Sequence, residues 1–150
     1  TGPTFATVIG EFNNSTTSTT PVDISPGDLY PITTSNLNNT VGAFSLTNNT
    51  VTVNESGIYL VEALVLLNSN SSGGLAIQQN GSTAQLAQSL FQNTVPTPVS
   101  GEITIFSVLN ISADDDITLI NHLNTRTASL QIAFDGNGPT NVTLRLTKIS

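Results

Sequence analysis

One stretch of the sequence, SGIYLVEALVLL at residues 56–67, limits the folds that are open to this chain. Its apolar positions are nearly unbroken, and its single carboxylate, Glu62, lies in the middle. The run is too short to cross a bilayer, which takes about 20 apolar residues. A Gly-Ile-Tyr start and several β-branched residues favour a strand over a buried helix. We therefore predict a long strand over Gly57–Asn68.

Both faces of this predicted strand are apolar, because alternate residues of a strand point to opposite faces of its sheet. One face comprises Tyr59, Val61, Ala63, Val65 and Leu67, and the other comprises Ile58, Leu60, Leu64 and Leu66, interrupted by Glu62. A second predicted strand, Gly101–Ile111, places Ile103, Ile105 and Leu109 opposite Phe106 and Val108. Antiparallel sheets normally keep one wet face. These two strands therefore need cover on both sides, either from another subunit or from long loops of the same chain.

The rest of the chain consists of short predicted strands separated by turn residues. Asn48–Asn49 and Asn80–Gly81 are two-residue hairpin signals. The segment that follows, Ser82–Asn93, is compatible with a helix capped by Ser82, but its β surroundings favour strand or irregular structure. The other predicted strands are Phe5–Phe12, Leu29–Thr33, Val41–Thr47, Thr50–Asn54, Leu75–Gln79, Ile117–Leu123, Ser129–Phe134 and Val142–Ile149, with a polar loop over Asn13–Asp28.

The composition excludes several classes of partner. Charged residues make up 9% of the chain, and the net charge of −7 leaves Arg126, Arg145 and Lys148 as its cations. Binding to nucleic acid or to an anionic membrane surface requires clustered Lys and Arg, so neither partner is expected. The absence of cysteine excludes a disulfide framework and thiol chemistry. A length of 150 residues suits a single domain with its own core.

Three motifs resemble the tumour necrosis factor and complement globular-head (C1q-like) superfamily. VNESGIYLVEALVLLNS is similar to its central strand, which a Gly-(Leu/Ile)-Tyr signature opens, and GLAIQQNGS is similar to the next strand and its Asn-Gly hairpin. EITIFSVLNISADDDITLIN resembles its strand, acidic turn and strand unit, although Asp114–Asp116 stands where Gly-Asp is usual. The resemblance extends from about Val41 to Ser150. It implies an all-β, ten-stranded antiparallel jelly-roll sandwich that assembles as a homotrimer.

The first residues, TGPT, contain one Gly-X-Y triplet, Gly2-Pro3-Thr4. A collagen triple helix needs Gly at every third position, because only Gly fits its axis. The chain also lacks an initiating Met and a leader, so we expect it to be a piece of a longer protein. A triplet ahead of such a head resembles the stalk of the Bacillus collagen-like exosporium glycoproteins. We therefore expect residues 1–4 to be a stalk remnant, in which Thr4 is a possible sugar position, and residues 5–150 to be one head domain.

The sequence contains no convincing catalytic constellation. His122 is the single histidine, and we interpret it as a structural or edge residue. No nucleophile-elbow signature supports a hydrolytic triad, so neither enzymatic activity nor a cofactor is expected.

Asp114, Asp115 and Asp116 are the best candidates for a metal site, since calcium prefers carboxylate oxygens. Alternate side chains of an extended strand point apart, however, so a solvated turn is the favoured interpretation. Nine Asn-x-Ser/Thr sequons follow from the composition, and no glycan is assigned to them.

The resemblance implies a role for each face of the apolar strands. Residues of the core would be Tyr59, Val61, Ala63, Val65, Ile103, Ile105, Leu144 and Leu146. Residues of the trimer interface would be Leu60, Glu62, Leu64, Phe106, Val108 and Arg145. Three Glu62 carboxylates near one axis would repel each other, so we hypothesise that Glu62 pairs with Arg145, within one chain or across two. The alternative is that Glu62 reaches water.

These expectations lead to a non-enzymatic head that trimerises a collagen-like filament on a spore surface (exosporium) or another extracellular surface. Its partner would be itself, with other surface-layer or host proteins as further possibilities. A receptor-binding or adhesin module of the tumour necrosis factor and C1q type is the main alternative. A viral capsid or fibre jelly roll is compatible with the fold as well.

Overall fold

The computed structural model describes residues 7–91, 100–122, 126–133 and 138–150, and these residues form an all-β sandwich of antiparallel sheets. None of the described residues belongs to a helix long and apolar enough to cross a membrane. The strands are β1 (Ile9–Ser15), β2 (Asp23–Ile24), β3 (Thr34–Asn38), β4 (Phe44–Thr47), β5 (Thr50–Val53), β6 (Gly57–Leu67), β7 (Gly73–Gln79), β8 (Ser82–Phe91), β9 (Gly101–Ile111), β10 (Asp115–Ile120), β11 (Ala128–Ser129) and β12 (Thr140–Lys148).

Ten of these strands form two five-stranded sheets, and β2 pairs with β11 in a short ribbon. We call the sheet with the order β3-β1-β12-β6-β9 the inner sheet, and the sheet with the order β4-β5-β10-β7-β8 the outer sheet. The interior strand β6 pairs along its whole length with β9 and over seven residues with β12. The apolar strand predicted from the sequence therefore lies inside the inner sheet, between two long neighbours.

The core lies between the two sheets and is built by alternation along each strand. Tyr59, Val61 and Val65 of β6 are fully buried, as are Val51 and Leu119 of the outer sheet. Full burial of one large apolar side chain contributes about 1.5–3 kcal/mol. All eight predicted core residues are buried: Tyr59, Val61, Ala63, Val65, Ile103, Ile105, Leu144 and Leu146.

The Gly-Ile-Tyr start of β6 has a physical explanation. A Cβ atom on Gly57 would lie 2.5 Å from the Ser150 carbonyl oxygen and would collide with the Lys148 side chain, so only glycine fits there. Two residues later, the Tyr59 hydroxyl donates a hydrogen bond of 2.7 Å to the Glu55 carbonyl oxygen. Burial raises the pKa of Tyr59 to about 12, which keeps this hydroxyl a donor at neutral pH. The signature therefore fixes where β6 begins and how it meets the end of β12.

Two predicted turns are confirmed. A third turn contains an aspartate at a position where the C1q-like pattern has glycine. Asn48 and Asn49 both have positive φ (49° and 64°), as do Asn80 and Gly81 (51° and 76°), which is the geometry of tight hairpins. Asp114 adopts φ 68° in the acidic turn. Asp tolerates this left-handed conformation, so the missing glycine of the family pattern does not prevent the turn.

Several predicted strand boundaries are wrong, for reasons that the contacts explain. No strand covers Leu29–Thr33, where Leu29 forms one isolated bridge and Pro31 has no N–H for a ladder. The nearby strand is β3 instead, a polar edge strand with little apolar alternation to detect. Val41–Thr47 shortens to β4, because Thr40 to Ala43 form a turn that is closed by a 3.1 Å backbone hydrogen bond.

The predicted polar loop Asn13–Asp28 and the predicted strand Ser129–Phe134 also differ from the observed structure. The first strand begins at Ile9 and runs to Ser15, so it extends into the predicted loop Asn13–Asp28, which also contains β2. Ser129–Phe134 is mostly irregular, since only Ala128–Ser129 pairs with β2, and Phe134 lies outside the described residues. Over 82–91 the ambiguous segment is the strand β8 rather than a helix. The expected stalk remnant at residues 1–4 lies outside the described residues.

Asn121 joins several elements beside the end of β10. Its side chain is fully buried and accepts a hydrogen bond from the Gly74 N–H (3.0 Å). Its amide nitrogen donates to the carbonyl oxygens of Ile24 and Arg126, at 2.9 Å each. Three backbone groups of separate segments are therefore satisfied by one side chain.

We expect Asn121→Ala to lower the free energy of unfolding by about 2–4 kcal/mol, because it leaves three backbone polar groups without their partner. Denaturant unfolding followed by circular dichroism measures this loss. Asn54→Ala is the matched control, since the Asn54 side chain donates to the Gly42 carbonyl oxygen at an exposed site where water can replace it. Equal losses for the two variants would contradict the role assigned to Asn121.

Candidate interaction face

The side of the inner sheet that faces away from the core is the candidate site, and we call it the outer face of the inner sheet. In β6 the residues of this face alternate with the core residues and are half-buried at Leu60, Glu62 and Leu64. In β9 the corresponding side chains are more open: Phe106 is 70% exposed and Val108 is 58% exposed. The structure therefore separates the two apolar faces predicted for these strands into a buried one and an uncovered one.

The apolar part of this face is concentrated at one end of the sheet. Ile58 is 39% exposed and Ile149 is 56% exposed, and the two are joined by a 2.8 Å backbone hydrogen bond. Leu60 lies opposite Val108 in the register of β6 and β9. Ile9 and Thr147 continue the same cross-strand row towards β1. The start of β1 therefore lies at the same end of the sheet as the exposed apolar side chains.

A second row crosses all five strands and contains three charged residues. In register, Leu37 lies opposite Glu11, Glu11 opposite Arg145, Arg145 opposite Glu62, and Glu62 opposite Phe106. Directly opposed residues of an antiparallel pair have Cβ atoms about 4.5–5.5 Å apart. One guanidinium therefore lies between two carboxylates, and apolar side chains lie at both ends of the row.

Glu11 is the carboxylate that Arg145 contacts directly. The Arg145 Nε and Nη2 atoms donate to Glu11 Oε2 at 3.0 and 2.6 Å, and Asn36 Nδ2 donates to Glu11 Oε1 at 2.9 Å. The hydrogen bond from Arg145, followed by that from Asn36, lowers the pKa of Glu11. Glu11 in turn raises the pKa of Arg145, with a smaller contribution from the charge of Glu62.

The hypothesised pair of Glu62 with Arg145 is therefore not a contact within this protomer. Among the described residues no hydrogen bond or ion pair reaches the Glu62 carboxylate, although it lies beside Arg145 in register. Both side chains line a shallow groove of about 110 Å³, together with Ala63, Leu64, Thr104 and Thr143. The sequence predicted that Glu62 and Arg145 lie on neighbouring strands. It did not predict the position of Glu11, because that position depends on the register of β1 against β12.

The other cations of the chain are not near Glu62. Lys148 Nζ contacts Glu55 Oε1 at 2.7 Å, at the end of the sheet. Arg126 is exposed, and its carbonyl oxygen accepts a bond from Asn121 on the loop side of the sandwich. Glu62 therefore has one neighbouring cation on its face, and a second carboxylate already holds that cation.

The acidic turn uses its carboxylates to hold the turn itself. Asp115 accepts hydrogen bonds from Asn80 Nδ2 (2.6 Å), Gln79 Nε2 (2.7 Å) and the Ser112 N–H (2.8 Å). Asp116 Oδ1 accepts from Thr52 Oγ1 at 2.6 Å, on a different strand. Among the described residues no group of three or more His, Cys, Asp or Glu side chains could hold a metal ion. The turn interpretation of Asp114, Asp115 and Asp116 therefore fits the geometry better than a calcium site.

His122, the other residue singled out for chemistry, is exposed and follows the end of β10. The preceding residue, Asn121, has a structural role in this segment, because it is buried and its side chain makes three hydrogen bonds. No pattern in the sequence marks Asn121 as the buried residue of this segment, since Asn is abundant throughout the chain.

Comparison with solved structures identifies the fold. The chain superposes on the Eiger TNF of S. frugiperda with a TM-score of 0.66 at 18% identity, over 96% of this chain and 93% of that one. It superposes on murine APRIL, at pH 8.5, with a TM-score of 0.60 at 16% identity, over 96% of this chain and 100% of that one. No protein-family model and no curated protein sequence matches the chain. The fold is thus a TNF-like jelly roll, in agreement with the resemblance read from the motifs.

We expect Asp115→Asn to reduce the acid sensitivity of the fold. The hydrogen bonds from Asn80, Ser112 and Gln79 lower the pKa of Asp115. Because the folded-state pKa lies below the unfolded one, the stabilisation is present above about pH 4 and is lost as the pH falls through the folded value. Denaturant unfolding at neutral pH and at about pH 3 should show a smaller loss for Asp115→Asn than for the wild type.

Asp114→Asn is the matched control for this prediction. Asp114 is exposed, and Asn also tolerates its positive φ, so this variant should keep the acid sensitivity of the wild type. Identical pH profiles for Asp115→Asn and the wild type would contradict the role of the Asp115 carboxylate.

Proposed function

We propose that this chain is a non-enzymatic domain that assembles as a homotrimer through the outer face of its inner sheet. The observation that carries the proposal is an apolar face on the neighbouring strands β6 and β9 that the described part of the chain leaves uncovered, with Phe106 70% and Val108 58% exposed. Contiguous exposed apolar surface of this kind marks an interaction site. A second copy is the proposed occupant, because the TNF-like fold and the C1q-like motifs both resemble a superfamily whose members trimerise.

The proposed interface comprises Leu60, Glu62, Leu64, Phe106, Val108 and Arg145. Its composition suits a self-assembly contact, since the apolar part at one end of the sheet adjoins the row that contains Glu11, Arg145 and Glu62. Threefold symmetry closes through contacts between different patches of neighbouring copies, so the two parts need not be self-complementary. The Arg145 guanidinium is half exposed and is held in place by Glu11, so it contributes a charge of fixed direction to this row of residues.

The finer proposal is that residues 5–150 are the head of a collagen-like filament on an extracellular or spore surface, and that residues 1–4 are the end of its stalk. The placement of β1 supports it, because Ile9 lies in one cross-strand row with Leu60 and Val108. Three chains that meet at this face would bring three β1 starts together. A head of this kind aligns the three stalk chains in register, so that the triple helix does not depend on random collision.

A receptor-binding or adhesin module is the second candidate function, and the fold shared with Eiger TNF and murine APRIL favours it. Hot spots of protein recognition are enriched in Trp, Tyr and Arg. Among the described side chains, Tyr30 and Tyr59 are fully buried, and Phe106 is the exposed aromatic residue, on the proposed trimer face. Among the described residues, the surface away from that face therefore offers few aromatic anchors for a receptor, which is why we place the structural head first.

A pair of variants tests the assignment of the two faces of β6. Leu64→Asp puts a charge on the half-buried outer face and should give a folded protein whose assembly is weakened by about 100-fold or more. Val61→Asp puts the same charge in the core, where the side chain is fully buried, and should abolish folding. Light scattering reports the particle mass, which should be three times 15.6 kDa for the wild type, and circular dichroism reports folding.

Ser45→Asp is the control for this pair, because Ser45 is an exposed residue on β4 of the outer sheet. It should leave both the mass and the folding unchanged. A wild-type protein that remains a monomer at micromolar concentration would overturn the proposed trimer.

A fusion experiment separates the stalk head from the receptor-type module. A run of Gly-Pro-Thr triplets placed before the chain should form a triple helix, with the head raising its melting temperature and its rate of refolding. The same fusion carrying Leu64→Asp should lose this advantage, and circular dichroism of the triple helix measures both. A trimeric head that gives no advantage to the fused stalk would favour the receptor-type alternative.

A further inference from the structure

Glu62 is the charged residue that interrupts the apolar outer row of β6, and its charge is incompletely balanced. On β12 it is opposed by Arg145, whose Nε and Nη2 atoms both contact Glu11. On β9 it is opposed by Phe106, which offers neither charge nor a hydrogen-bond donor. The row of Glu11, Arg145 and Glu62 carries two negative charges and one positive charge.

No further charged group of the described residues faces Glu62 from its neighbouring strands. Glu102 lies towards the far end of β9, opposite Leu66, and its carboxylate accepts a bond of 3.1 Å from Thr104. Lys148 lies at the other end of β12 and contacts Glu55. The flanking residues on β6 are Leu60 and Leu64. A contact that covers this part of the face would remove water from the Glu62 carboxylate. Its neighbouring cation, Arg145, is already held by Glu11.

We propose that self-association through this face is coupled to proton uptake by Glu62, so that the assembly is tighter at mildly acidic pH than at neutral pH. This inference rests on the proposed trimer and adds the regulation of its interface. Covering Glu62 with apolar surface disfavours the ionised carboxylate, and symmetry brings the same residue from each copy into the assembly. A covered carboxylate without a full counter-charge is neutralised by a proton, and linkage then requires that lower pH favours the state that binds more protons.

The position of Arg145 decides the direction of this effect. If Arg145 were free, it could pair with Glu62 on assembly, and the carboxylate would stay ionised. Its two contacts with Glu11 and the bond from Asn36 to the other Glu11 oxygen hold the guanidinium on the β1 side of the row. The assembly therefore lacks a second cation for Glu62, and a proton takes that role.

The test is sedimentation of the full chain over a concentration series between about pH 5 and pH 8, a range above the acid loss expected for Asp115 and Glu11. For the wild type, the midpoint concentration of assembly should be about tenfold lower, or more, at the acidic end. Glu62→Gln keeps the shape of the side chain without its charge, so it should assemble at every pH as the wild type does at the acidic end. Asp28→Asn is the control for net charge, because Asp28 is exposed on a loop that contacts Asn121, and it should keep the pH dependence.

Calorimetric dilution of the wild-type assembly in two buffers of different ionisation enthalpy counts the protons directly, and at about pH 5 it should release about one proton per chain. Wild-type assembly that does not depend on pH, a pH dependence retained in Glu62→Gln, or a proton count of zero would each overturn the inference while leaving the trimer intact. Absence of assembly in both the wild type and Glu62→Gln at every pH would instead overturn the proposed function on which it rests.

Discussion

The structure depends on a central strand that is apolar on both faces. Tyr59, Val61 and Val65 contact the core between the sheets, while Leu60 and Leu64 remain on the outer face of the inner sheet. In an antiparallel sandwich each sheet can cover only one face of the other, so the second face of β6 has no cover from the described part of its own chain. Covering this face would remove apolar area from water at about 25 cal/mol per Å², and this is the driving force for the association that we propose.

Charge is scarce in this chain, and its placement on the face is correspondingly specific. The row formed by Glu11, Arg145 and Glu62 spans three neighbouring strands. Apolar residues lie at its two ends, Leu37 beside Glu11 and Phe106 beside Glu62. An exposed ion pair such as Arg145–Glu11 adds little to stability, since about half of the Arg145 side chain is accessible to water and salt. Its structural effect is to fix the direction of the guanidinium. A fixed charge on an assembly face contributes to the orientation of partners more than to the strength of binding.

Sequence reasoning predicted the elements that depend on local chemistry and missed those that depend on pairing. The alternation in β6, β9 and β12 and the Asn-rich hairpins were predictable, because burial and positive φ leave a signature within a few residues. The polar edge strand β3 left none, since its residues are mostly exposed and its register is set by β1. For the same reason the contact of Arg145 with Glu11 was not predicted: Glu62 and Glu11 both lie opposite Arg145, one on each side, and the sequence cannot reveal which carboxylate its side chain reaches.

The position of Glu62 also answers why one carboxylate interrupts the outer row of β6. A segment of β-forming apolar residues without Pro and with low charge has the composition of aggregation-prone strands. In this chain the segment lies in the middle of a sheet, so its backbone hydrogen bonds are satisfied by β9 and β12, and its exposed side chains are the remaining hazard. A charge among them raises the cost of covering the face with any surface that cannot neutralise it. At neutral pH this cost opposes promiscuous hydrophobic contacts, so one carboxylate in the outer row works against uncontrolled association of an apolar face.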